Sequence, residues 1–550
     1  MKRIALLLFT ISSSFILLGT TSGDLSQDTK YSRLDSLRGS ITPERAWWDL
    51  TYYHLNISVD PATKTIKGTN RVDYQVLAEN QVIQIDLQPP LTIDNATQNG
   101  QQLKFSKEGS AYFIELNDKQ TIGEVNSLLL TYSGQPIIAI RAPWDGGISW
   151  DKDENGNDFV ASSCQGLGAS AWWPCKDHMY DEVDSMLMSI AVPKHLMNVS
   201  NGRLRGVDDN KDGTKTYHWF VNNPINNYGV NINIGDYVHF GEKYDGEKGK
   251  LDMDYYVLRE NLKKAKKHFK DAPRTIEAFE YWFGPYPFYE DSYKLVEAPY
   301  LGMEHQSSVT YGNGYQKGYQ GIDLSGTGWG LKWDYIIIHE TGHEWFANNI
   351  TYKDIADMWI HESFTCYSES LFIEYYYGKD ASAEYIRGQR KGIDNIETMI
   401  GDYEVNDEGA DLYNKGANFL HTLRQVVNDD EKWRDILRGL NETFYHQTVT
   451  TEQIENYISA QAGRDFQYVF DQYLRNSCIP ILEYIIGEDK ISYRWSGVVE
   501  GFDLPVRVKI NNAEKWLEAN SEWQSIEAKA QATFKVDPNF YISILDVMGS

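Results

Sequence analysis

The stretch WDYIIIHETGHEWFANNI, residues 333–350, decides how the rest of the chain is read. It is strongly apolar, and it opens with Asp334, a residue type that caps helix N-termini by accepting from free backbone N–H groups; the pattern predicts a buried helix over Trp333–Asn348. On a helix His339 and His343 stand about one turn apart and project from one face, so both imidazoles can hold a single Zn²⁺ ion. Glu340 follows the first histidine and reaches the water that such an ion activates rather than the ion, the position of a general base. HExxH fixes only three positions and can arise by chance, and two histidines can also be a satisfied core pair. The apolar, Asp-started, glycine-containing surroundings favour the metal.

A catalytic zinc site uses three protein donors and keeps one position open for water. The next helical pattern, Met358–Tyr377, offers Glu362 within DMWIHESFTCYSESLF. Eighteen residues separate it from His343. That interval lets the first helix end near Asn349, a loop pass through Thr351 and Lys353, and the second helix return antiparallel, with its carboxylate facing the imidazoles.

HExxH, eighteen residues and then Glu resembles the zinc signature of the metallopeptidase family that contains aminopeptidase N and leukotriene hydrolase. Leu301-Gly302-Met303-Glu304-His305 is similar to the family's G-x-M-E-N segment. The resemblance implies that Glu304 binds the free α-ammonium of a substrate, and that Gly302 and Met303 belong to the same substrate-binding segment. A carboxylate fixed beside the metal would place only the first peptide bond at the zinc, which makes the enzyme an exopeptidase. Tyr413-Asn414-Lys415-Gly416 resembles the family's Y-x-K-G, implying that Tyr413 donates a hydrogen bond to the oxyanion. Ser163-Cys164-Gln165 followed by Trp173–Asp177 resembles the loop that carries a Gln near the substrate amine, implying that Gln165 assists Glu304. Leu301, His305, His361 and Ser363 depart from the family's usual Gly, Asn, Asn and Gly.

The implied fold is multidomain α+β: an N-terminal antiparallel β-sheet domain, saddle-like, over residues 24–240; a thermolysin-like, mostly helical zinc catalytic domain over 241–477; and a small C-terminal β-sandwich over 478–550. The family's large helical C-terminal domain is expected to be missing, leaving a more open cleft. Periodicity supports this organisation independently. Tyr53, Leu55, Ile57 and Val59 alternate with period two, as do Val72, Tyr74, Val76 and Ile83, Ile85, Leu87. After Gly241 helical patterns take over, at Leu258–Phe283, Ala381–Met399, Lys415–Val427, Thr451–Ala462 and Phe466–Leu474. Strand-like alternation returns near Ile479.

The 550 residues exceed one ordinary core and call for several domains. A formal charge of −26 argues against a nucleic-acid partner, since phosphate binding needs clustered Lys and Arg. Lys2 and Arg3, the apolar run Ile4–Leu18 and small residues to Gly23 resemble an export signal, residues 1–23. The run is short and polar in its middle compared with a spanning helix, and no Cys follows it for lipid attachment. The chain is therefore expected to be exported, periplasmic or extracellular, and not an integral membrane protein after signal removal. Cys164, Cys175, Cys366 and Cys478 lack the spacing of a structural metal site, and export permits but does not require a bridge between the first two.

These observations point to a zinc aminopeptidase acting on peptides with a free N-terminus. Alternatives are a leukotriene-hydrolase-like epoxide hydrolase on the same zinc site, an endopeptidase, and a non-catalytic binding protein that kept the fold. The first lacks a lipid tunnel in the sequence, and the last would be expected to lose ligands.

Overall fold

A computed structural model describes residues 30–548, and the export-signal segment 1–23 lies outside them. Tyr53, Leu55, Ile57 and Val59 all turn inward on strand Trp48–Asp60, each at most 2% exposed. This strand sits at the centre of an eight-stranded sheet, between Thr65–Val76, which pairs with it antiparallel, and Ser185–Pro193. The pairing with Ser185–Pro193 is parallel, so the sheet departs from the wholly antiparallel expectation at one junction. Long-range parallel pairing needs a crossover, and residues 61–184 supply it. That crossover contains strands Gly147–Lys152 and Asp158–Ser163; the latter ends just before Gln165.

Strand Tyr237–Gly246 spans the change in sequence texture near residue 241 and pairs with Gly249–Leu258. These two continue into a five-stranded sheet through Tyr293–Glu297, Val309–Tyr311 and Gly302–Met303. The short last strand holds the segment before Glu304 against the helical core.

The helical layer differs in detail from the sequence expectation. Leu258–Phe283 is broken into Leu262–His268 and Asp271–Phe283. The helix expected over Ala381–Met399 is instead Lys379–Gly388 followed by a short 3-10 turn, after which residues 393–413 form an irregular loop. A Cβ at Gly388 would stand 2.5 Å from the Ser325 carbonyl oxygen, so that turn is packed against its neighbour where only glycine fits. Helix Asp430–Thr443 is additional, capped by Asp429 and buried through Trp433, Ile436, Leu437 and Leu440.

Residues 481–546 form a four-stranded and a three-stranded sheet. Their inward residues, including Trp495 and Val508, share one continuous core with the helical layer. All four cysteines are free thiols, three of them buried. No helix among the described residues is long and apolar enough to cross a membrane.

Candidate metal centre and active site

The HExxH helix runs from Tyr335 to Gly342, with His343 at its C-cap. Asp334 caps it as its position suggests, accepting from the N–H groups of Ile336 and Ile337. It ends six residues earlier than expected because the chain turns at Gly342. There a Cβ would lie 2.6 Å from Ser368 Oγ, so glycine allows the helix to close on Trp359–Tyr377. That approach carries Glu362 to the two histidines.

Glu362 Oε2 lies 3.7 Å from His339 Nε2 and 3.5 Å from His343 Nε2. All three side chains are buried. A tetrahedral ion with bonds of about 2.0–2.2 Å separates its donors by about 3.4 Å, so these distances already match the edges of such a site. Glu362 Oε2 is also a buried oxygen without a hydrogen-bond partner, which a cation would satisfy. The donor set therefore fits Zn²⁺: two imidazoles and one carboxylate.

Both rings are held so that Nε2 faces this point. His339 Nδ1 stands 2.8 Å from Glu369 Oε1, and His343 Nδ1 stands 3.0 Å from the Phe346 carbonyl oxygen. Each Nδ1–H donates outward, leaving Nε2 as a lone-pair donor. Glu369 is in turn fixed by Tyr385, whose hydroxyl donates at 2.6 Å, and by Gln389 Nε2 at 3.0 Å. Sequence reasoning missed Glu369. Its signal was position: seven residues after Glu362, it lies two turns along the same helix face.

Glu340 lines the same cleft, of about 300 Å³, together with Gln165, Gly302, Met303, Glu304 and Tyr413. Burial lifts the Glu340 carboxyl to about 7, against the pull of His339 and with added repulsion from Glu362 and Glu369. Gly302 stands so close that a Cβ there would meet Glu340 Oε1 at 2.9 Å. Glu304 is 3% exposed and accepts from Gln165 Nε2 at 2.6 Å, which brings together two residues far apart in sequence. One oxygen of Glu304, one of Glu340 and one nitrogen of His343 lie within 4.8 Å of one another. Burial, then the charges of Glu340 and Glu362, push the Glu304 carboxyl well above its ordinary range. Asn348 Nδ2 fixes its backbone by donating to the Glu304 carbonyl oxygen at 2.8 Å. Tyr413 is 45% exposed, its ring stacked near His339 with centroids 6.1 Å apart.

The four departures from the family pattern take separate places. Leu301 lines the cleft. His305 is fully buried, its Nδ1 3.4 Å from Thr310 Oγ1. His361 accepts from the Tyr352 N–H through Nε2, and its ring stacks on Tyr352 with centroids 4.0 Å apart. Ser363 Oγ donates to the Leu412 carbonyl oxygen at 2.7 Å, tying the Glu362 helix to the segment that delivers Tyr413.

A β-rich lobe, a helical lobe with an HExxH helix, and two imidazoles facing a carboxylate define a metallopeptidase. Residues 50–228 match the peptidase M1 N-terminal domain, and residues 268–473 match the peptidase family M1 domain. The chain belongs to peptidase family M1, which contains zinc metallopeptidases. It is 21% identical to Tricorn protease-interacting factor F2 of Thermoplasma acidophilum over 73% of this chain and 50% of that one. It is 21% identical to leukotriene A-4 hydrolase of Xenopus laevis, over 76% of this chain and 68% of that one. Aminopeptidase N of Lactobacillus helveticus is 22% identical, over 82% of this chain and 54% of that one. The chain thus spans about half the length of most curated relatives named here. Its fold is similar to that of an M1 zinc metallopeptidase from Deinococcus radiodurans, with a TM-score of 0.67 and 20% identity, over 80% of this chain and 96% of that one.

Proposed function

We propose that the protein is an exported zinc aminopeptidase that hydrolyses the first peptide bond of peptides with a free N-terminus. The observation that carries this reading is the buried Glu304 carboxylate, held by Gln165 and set beside Glu340 and His343. A buried carboxylate crowded by two others is most stable with a cation against it, and a peptide's terminal ammonium is such a cation. Anchoring that ammonium next to the metal site leaves space for one residue before the scissile carbonyl.

When bound by His339, His343 and Glu362, Zn²⁺ supplies Lewis-acid polarisation of the carbonyl and lowers the pKa of water to about 7. Glu340 takes the proton of the attacking water and returns it to the leaving amine. The Tyr413 hydroxyl donates to the carbonyl oxygen as negative charge develops there. Glu369 and the Phe346 carbonyl hold the two imidazoles in one tautomer throughout. A mutant of the Deinococcus radiodurans M1 zinc metallopeptidase has been solved with a Tyr-Ser-Ala substrate, and a mutant two-domain M1 zinc metallopeptidase with L-tryptophan, in keeping with a site of this kind. Export rests on Lys2, Arg3 and the apolar run that follows.

The test is a set of unblocked and N-acetylated peptides, with and without chelator, on the wild type and Glu304→Ala. Release of single N-terminal residues should require the metal, fail on acetylated peptides and drop at least a hundredfold in Glu304→Ala. Equal cleavage of blocked and free peptides would exclude the exopeptidase reading. Appearance of the mature chain outside the cytoplasm, cut near Gly23, tests export.

A further inference from the structure

Glu408 lies on the irregular loop 393–413 and lines the cleft on the Gln165 side. Its Oε2 stands 3.9 Å from where a Cβ at Gly166 would sit, and Gly166 has none, so the way from the Gln165–Glu304 pair to this carboxylate is not closed by a side chain. Glu408 as a residue is exposed, and no hydrogen bond or ion pair to its carboxylate is found among the described residues. Two other acids of the loop are occupied: Asp402 accepts from Lys30 Nζ and Tyr31 Oη at 2.7 and 2.6 Å, and Asp407 accepts from Tyr31 Oη at 2.5 Å. The loop is also fixed beside Gln165, since Asn406 Nδ2 and Arg38 Nη2 both donate to the Gly166 carbonyl oxygen, at 3.4 and 2.6 Å. Glu408 is thus a held, unspent negative charge at the first-residue end of the cleft.

The surroundings favour one kind of guest. No Lys or Arg lines the cleft among the described residues, while Met303, Met358 and Leu412 provide apolar wall. An apolar wall that ends in a carboxylate suits a side chain with a methylene stem and a cationic head. Partial burial, then the charges of Glu362 and Asp407, raise the Glu408 carboxyl above its ordinary range, and a cation against it would relieve both.

We infer that Glu408 makes the first-residue subsite selective for lysine and arginine at the peptide N-terminus. This rests on the aminopeptidase reading above and adds the substrate class. Glu408 acts on the side chain of the first residue, and Glu304 acts on its ammonium.

The experiment measures kcat/KM of the zinc-loaded full chain on lysine, arginine, norleucine and leucine anilides, for wild type, Glu408→Gln and Glu408→Lys. Lysine against norleucine isolates the charge at nearly constant shape. The wild type should favour lysine about tenfold at low ionic strength, in the range of one charge-assisted contact. Glu408→Gln should remove most of that ratio with norleucine turnover unchanged, and Glu408→Lys should invert it. Raising salt to 1 M should shrink the wild-type ratio and leave that of Glu408→Gln unmoved. Competitive inhibition by free L-lysine against L-norleucine should follow the same order. A lysine-to-norleucine ratio unchanged in Glu408→Gln, or an equal loss on all four substrates, overturns the inference and leaves the aminopeptidase reading standing. A wild type inactive on every anilide, yet active on acetylated peptides, overturns both.

Discussion

His339 and Glu369 form a buried pair, Nδ1 to Oε1 at 2.8 Å, and this contact sets which nitrogen of the imidazole faces Glu362 and His343. Helix Trp359–Tyr377 therefore carries both a metal donor and the residue that orients another donor two turns away.

Glu369→Ala should weaken zinc affinity by about 10–100-fold, the usual effect of losing a partner behind a ligating histidine. Competition with a chelator checks this directly. Activity at saturating zinc should recover in large part, and Glu369→Gln, whose amide oxygen can still accept from Nδ1–H, should lie between wild type and the alanine variant. Unchanged chelator resistance in Glu369→Ala would remove Glu369 from the metal centre.

Tyr413 is the expected oxyanion donor, half-exposed beside the donor cluster. Tyr413→Phe should lower kcat about 10²- to 10³-fold and leave KM and zinc content nearly unchanged, because the lost hydrogen bond forms fully only in the transition state. A steady-state comparison with metal analysis decides it; a rise in KM at constant kcat would recast Tyr413 as a binding residue.

The metal donors were legible because their spacing is dictated by helix geometry: one turn between His339 and His343, and a return helix for Glu362. The sheet was legible at Tyr53 to Val59 because burial on one face leaves a period-two trace. Glu369 was not, since a lone Glu on a helix looks like any solvated carboxylate until the fold buries it against Tyr385. Glu408 and the 393–413 loop were hidden for a related reason: irregular backbone has no period, and its place is set by distant anchors such as Tyr31 and Gly166. Helix Asp430–Thr443 had a readable pattern in Trp433, Ile436, Leu437 and Leu440, masked by the charges between them. The pairing of Gln165 with Glu304 rested on family resemblance alone, and the fold supplies the 2.6 Å contact.

Acid should destabilise the fold through buried neutral histidines outside the metal-donor set. His178 Nε2 lies 3.0 Å from the Gly39 carbonyl oxygen, and its Nδ1 accepts from the Tyr180 N–H, so the ring is built in as a neutral tautomer; burial lowers its pKa to about 3. Burial lowers His421 likewise to about 3. The unfolded chain's imidazoles titrate near 6.5, so between these values the unfolded state binds more protons. Stability is then fully present above pH 6.5 and is lost as pH falls toward 3, by about 2 kcal/mol per histidine at pH 5. Urea unfolding at pH 7 and pH 5 measures this, and His178→Gln should flatten the slope. An unfolding free energy independent of pH across that range would contradict it.

Gly416 and Ser363 should prove energetically coupled. A Cβ at Gly416 would stand 1.8 Å from Ser363 Oγ and 2.3 Å from Ser363 Cβ, so Gly416→Ala cannot be accommodated without moving the Glu362 helix or helix Asn414–Val427. Overpacking of this kind costs about 1–3 kcal/mol. The displaced elements carry Glu362 and Tyr413, so turnover should fall with stability. Ser363→Gly alone removes the bond to the Leu412 carbonyl oxygen and adds a helical glycine, about 1–2 kcal/mol together. In the double variant the clash is gone, leaving Met399 Cε at 2.9 Å, the flexible end of a side chain able to shift. The double variant should therefore be more stable than the sum of the single effects by at least about 1 kcal/mol, and its turnover should exceed that of Gly416→Ala. A double-mutant cycle in urea, read with kcat on one substrate, tests both; strict additivity would show that the two residues do not meet as described.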